Sequence, residues 1–82
     1  MFTLRSVVIE ATGATGIVLD RYKLRALSLD QAMTEADAWR VPDNQVAPNG
    51  LEIEHKGSIL ARRRFIPGNF YVPWQRLDSG PR

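Results

Sequence analysis

Residues 28–39 form the one stretch of this chain whose apolar residues recur at helical spacing, and segments of strand character lie on both sides of it. Leu29, Ala32, Met33, Ala36 and Trp39 fall at i, i+3, i+4, i+7 and i+10, while Thr34, Glu35 and Asp37 lie outside that stripe. Ser28 with Gln31 three residues on forms a capping box, and Leu27 with Ala32 is placed to make a hydrophobic staple. Asp30 in the first turn favours the helix dipole. Val41-Pro42 ends the pattern, because a residue before proline is pushed out of the helical region. The run DNQVAPNG over 43–50 is rich in turn formers and reads as a loop.

On the N-terminal side, residues 1–10 alternate imperfectly, with Phe2, Leu4 and Val8 on one side and Val7 and Ile9 on the other, and are rich in β-branched residues. Residues 17–26 are again strand-like: Tyr22, Leu24 and Ala26 share one face, and Arg21, Lys23 and Arg25 line the other. Beyond the helix, 51–65 reads as a hairpin. A three-residue loop His55-Lys56-Gly57 pairs Glu54 with Ser58, Ile53 with Ile59, Glu52 with Leu60 and Leu51 with Ala61. That register gathers Leu51, Ile53, Ile59 and Ala61 on an apolar face, with Glu52, Glu54, Arg62 and Arg64 on an exposed one. Pro67-Gly68 suits a turn, and 69–77 is a last strand that Pro73 confines to an edge or a break. The expectation is a single α+β domain over 1–77, a small antiparallel sheet with one helix packed on a face, in the order ββαβββ, followed by a flexible tail over 78–82.

The segment SVVIEATGATGIVLD, residues 6–20, runs apolar residues into two glycines. Thr12-Gly13-Ala14-Thr15-Gly16 resembles the glycine-rich turn of short-chain dehydrogenases and related Rossmann enzymes over about a dozen residues, a likeness that implies a nucleotide cradle. In that family a third glycine follows where this chain has Leu19, and the turn opens a helix whose N-terminus meets the pyrophosphate. Here a strand follows. The expectation is therefore a hairpin turn whose glycines supply positive φ.

Composition narrows the function. With no cysteine and one histidine among 82 residues, a disulfide framework, a thiolate metal site and a thiol nucleophile are excluded. His55 reads as a solvated turn residue, Ser28 already has a task as a cap, and Glu52 and Glu54 are explained by ion pairs with facing arginines. The expectation is a non-catalytic protein that needs no cofactor. The apolar runs are far shorter than the roughly 20 residues that span a bilayer, and the start carries no secretory pattern, which gives an expectation of a cytoplasmic protein without membrane contact.

Charge is unevenly spread. Residues 1–29 carry four cations and two acids, 30–54 one cation and six acids, and 55–82 six cations and one acid. The acidic middle and basic end are therefore placed to attract each other, within one chain or between two. The basic end also carries aromatics, so Lys56, Arg62, Arg64, Tyr71, Trp74 and Arg76 form a candidate nucleic-acid surface, with Arg21, Lys23 and Arg25 as a secondary basic face. The alternative partner is a protein: the chain then reads as an accessory or inhibitory module, with a homodimer as one form of that association, using an exposed sheet edge and the aromatic segment 70–74.

Overall fold

The computed structural model describes residues 1–39, 48–64 and 72–77. They build an α+β fold: strands β1 (Phe2–Ile9) and β2 (Thr15–Lys23), helix α1 (Leu29–Ala36), then strands β3 (Gly50–His55), β4 (Ser58–Arg64) and β5 (Gln75–Arg76). The strands form one antiparallel sheet in the order β2-β1-β3-β4-β5. Among the described residues of the 69–77 expectation, Gln75 and Arg76 are strand, and 72–74 before them and Leu77 after them are irregular backbone. Tyr71, the tail 78–82 and most of the 43–50 loop lie outside the described residues.

The helix starts as its sequence dictates. Ser28 holds an extended conformation, and its Oγ accepts from the Gln31 amide at 3.2 Å. The Gln31 side chain accepts from the Leu27 amide at 3.0 Å. The staple is absent, because Leu27 stands 89% exposed. The helix also stops at Ala36, earlier than Pro42 alone requires. Bonds from the Ala38 amide to Glu35 O and from Trp39 to Ala36 O tighten its end into i→i+3 turns. Trp39 still reaches the core margin, against Tyr22 at 6.0 Å.

Leu29, Ala32 and Ala36 bury against Phe2, Leu4, Leu24, Leu51, Ile53 and Ala61. Residues opposite each other in an antiparallel pair share a face, so Leu4, Ile53 and Ala61 lie in one row beneath the helix. Among the described residues the other face has no helix.

The β3–β4 turn corrects the expected register. It has two residues, Lys56 and Gly57, both at positive φ (53° and 82°), the geometry of a type I′ turn. Pairing starts at His55↔Ser58 and Glu54↔Ile59, and a bulge then brings Ile53 opposite Ala61 and Glu52 opposite Arg62. Leu60, at the bulge, packs on the core in the role the sequence assigned to Ile59. Because the bulge absorbs one residue, Ala61 still faces the helix and Arg62 still shares a face with Glu52.

The two-glycine segment is a turn between β1 and β2. Gly13 takes φ +91°, its amide donates to Glu10 O at 2.8 Å, and the Glu10 amide donates to Ala14 O at 2.9 Å. Gly16 falls where β2 slips by one residue against β1, a second slip leaves out Leu19, and both lie on β2. Gly50 has a different reason to be glycine. A Cβ there would run into the Ile9 side chain and lie 3.2 Å from Arg63 O. Gly50→Ala is expected to cost about 1–3 kcal/mol as overpacking, read as a lower urea midpoint at unchanged slope.

Candidate binding surface

Register places five residues in a straight row across the helix-free face: Arg21 of β2, Arg5 of β1, Glu52 of β3, Arg62 of β4 and Gln75 of β5. Glu52 is fully buried, which corrects the expectation of an exposed acidic face. Its Oε2 accepts from Arg62 Nε at 3.1 Å and Nη2 at 2.8 Å and from the Thr15 hydroxyl. Arg5 Nη2 stands 3.2 Å from Oε1, and Arg5 Nη1 lies 3.7 Å from Glu54. Arg62 also donates from Nη1 to Gly13 O at 2.8 Å and from Nη2 to Thr15 Oγ1 at 3.1 Å. The β1–β2 turn is thus drawn over the sheet as far as β4. A guanidinium occupies the carbonyl side of the glycine turn, and the Gly13 and Ala14 amides donate within the turn, the latter to Thr12 Oγ1 at 3.4 Å.

A second ionic set holds the last strand to the helix. Arg63 Nη2 lies 2.7 Å from Asp37 Oδ1, which also accepts from Trp74 Nε1 at 3.1 Å, and the Arg63 guanidinium stacks 4.4 Å from the Trp74 ring. Arg76 Nη1 meets Asp30 Oδ1 at 3.1 Å, and the Leu77 amide donates to Leu60 O at 2.8 Å. The acidic middle and the basic end therefore meet within one chain. Asp37→Ala is expected to remove the contacts to Arg63 and Trp74. In a Trp39→Phe background it is expected to shift Trp74 emission to the red while costing no more than about 1 kcal/mol, since Asp37 is half exposed. Unshifted emission would contradict the clamp.

The expected site residues thus divide. Arg62, Trp74 and Arg76 are tied to acids of their own chain. Lys56 sits at the β3–β4 turn, and exposed Arg64 ends β4 beside Gly13. Arg21 and Lys23 are exposed on β2, opposite Arg5 and Thr3 on the helix-free face. Arg25 lies beyond the strand, and its backbone amide donates to Glu35 at 3.0 and 3.2 Å. Among the described residues, Arg21, Lys23, Arg25, Lys56 and Arg64 have no acidic partner. His55 stacks on Phe2 at 4.4 Å, and its Nδ1 lies 3.0 Å from Met1 O.

Arg5, Thr15, Asp37 and Arg63 were missed as partners in the sequence reading. Alternation placed Arg63 away from Arg62, yet no local signal says that β1 lies between β2 and β3 or that β4 faces the end of α1.

The fold and its ionic rows define a small antiparallel α+β protein in which three of the five described C-terminal cations, Arg62, Arg63 and Arg76, pair with acids of the same chain. No protein-family model, curated protein or solved structure matches the chain. Among the described residues no helix is long and apolar enough to cross a membrane.

Proposed function

We propose that this protein is a non-catalytic interaction module that recruits a protein partner by strand addition along the outer edge of β2. The observation that carries the reading is the sheet order: β2, nine residues long, is an edge strand, and among the described residues nothing pairs with its outer side. An extended edge offers alternate backbone N–H and C=O groups as a ready template. The opposite edge is closed over part of its length by β5 and its ionic clamp. Apolar Ile17, 59% exposed, adds contact area on β2 itself.

Amide exchange in β2 tests the reading. The outward amides are expected to exchange fast in the free protein and to slow at least several-fold with a millimolar alternating Thr-Val peptide or its charged counterparts. Unchanged exchange with every peptide would contradict strand addition.

A second reading, phosphate binding to nucleic acid, rests on the five cations without acidic partners. It predicts binding to DNA or RNA whose log K falls linearly with log salt. Affinity that does not depend on salt would remove it.

A further inference from the structure

The helix-free face shows which strand the β2 edge fits. Across its central row the charges run Arg21, Arg5, Glu52, Arg62, so Arg5 and Arg62 each border Glu52, while Arg21 borders only another arginine. Like charges directly opposite in an antiparallel pair are destabilising. Arg5 is neutralised from its β3 side by Glu52 and Glu54, which leaves Arg21 exposed and without an acid among the described residues. In the next row Lys23 stands opposite Thr3, with Glu54 beyond it on β3. The inner edge of β1 therefore receives a strand reading Glu-Ile-Glu, and the outer edge of β2 presents two cations at the same alternate spacing, about 7 Å apart, with nothing to match them.

We propose that the natural occupant of the β2 edge is an extended partner segment with carboxylates at alternate positions, one facing Arg21 and the next facing Lys23. This rests on the strand-addition reading and specifies its partner. The same charges act against a second copy of the chain. Antiparallel pairing of β2 with its own copy about a two-fold axis puts the two sets of Arg21 and Lys23 on one face, so the edge repels itself while it accepts an acidic strand. The bulges at Leu19 and Gly16 bend the other half of β2 away from flat pairing, which leaves the Arg21 and Lys23 half as the straighter docking segment.

The test uses the full chain and three labelled ten-residue peptides, alternating Glu-Val, Thr-Val and Lys-Val, with an oligo-dT of ten nucleotides as a phosphate probe. The wild type is expected to bind the Glu-Val peptide at least tenfold more tightly than the Thr-Val peptide and not to bind the Lys-Val peptide. The double variant Arg21→Glu with Lys23→Glu is expected to invert that order, and its gain of Lys-Val binding would itself show that the variant is folded. Equal binding of all three peptides would overturn the acidic specificity while leaving strand addition standing. Absence of binding to any peptide would overturn both, and oligo-dT binding alone, lost in the double variant, would assign these cations to phosphate instead.

Discussion

Replacing Glu52 by alanine is expected to be among the most damaging single changes in this protein, costing about 3–5 kcal/mol of folding free energy. The carboxylate is fully buried and stands between two guanidiniums that are themselves mostly covered, with side-chain exposures of 15% for Arg5 and 23% for Arg62. Removing it leaves both cations without their central counter-charge in a region of restricted hydration, and Arg21 opposite Arg5 adds a further like charge. A domain of this size has a total stability on the order of 5–10 kcal/mol. The variant should therefore melt at least 12 °C lower, taking roughly 4–8 °C per kcal/mol. Glu52→Gln, which keeps an acceptor and the shape but loses the charge, is expected to fall between the two. Thermal unfolding followed by circular dichroism decides it. A loss below about 1 kcal/mol for the alanine variant would mean that the ionic row is not what holds the β1–β2 turn across the sheet.

Ile53→Ala is expected to cost about 2–5 kcal/mol. Ile53 is fully buried in the central strand, with Leu4 opposite it on one side and Ala61 on the other. Because Ala61 is small and Leu4 is held in its own strand, little can collapse into the space left behind. The comparison with β4 tests the bulge. Leu60, which packs on the core, should lose more on truncation to alanine than Ile59, which shares a face with Glu54. The three-residue loop read from the sequence requires the reverse.

That contrast shows where sequence reasoning stopped. The helix was legible because its cap, first-turn acid and apolar stripe agree, and the strands were legible from alternation and turn residues. The hairpin register was not. A two-residue I′ turn followed by a bulge and a three-residue loop without one give nearly the same inside-outside pattern, and they differ in the positive φ of Lys56 and in whether Leu60 or Ile59 meets the core. The ionic site was half legible. Alternation put Arg62 with Glu52, but burial of Glu52 depends on β1 standing beside β3 and on a turn drawn over the sheet from residues 39 positions away, measured from Gly13 to Glu52. Charge counting likewise showed that acidic and basic segments attract, yet not that they would do so within one chain and so withdraw Arg62, Arg76 and Trp74 from the expected binding surface. What remained without an acidic partner among the described residues was Lys56, Arg64 and the basic face given second place in that reading, and the sheet order makes part of that face an edge.

The central claim is that partners meet the protein at β2. It is tested most directly by mapping backbone amide chemical shifts during titration with the alternating Glu-Val peptide. The account expects the largest changes within Thr15–Lys23, strongest around Arg21 and Lys23, with the clamp residues Asp37 and Trp74 unmoved. Changes centred on Lys56, Arg64 and Trp74, with β2 silent, would contradict it and return the binding surface to the C-terminal half.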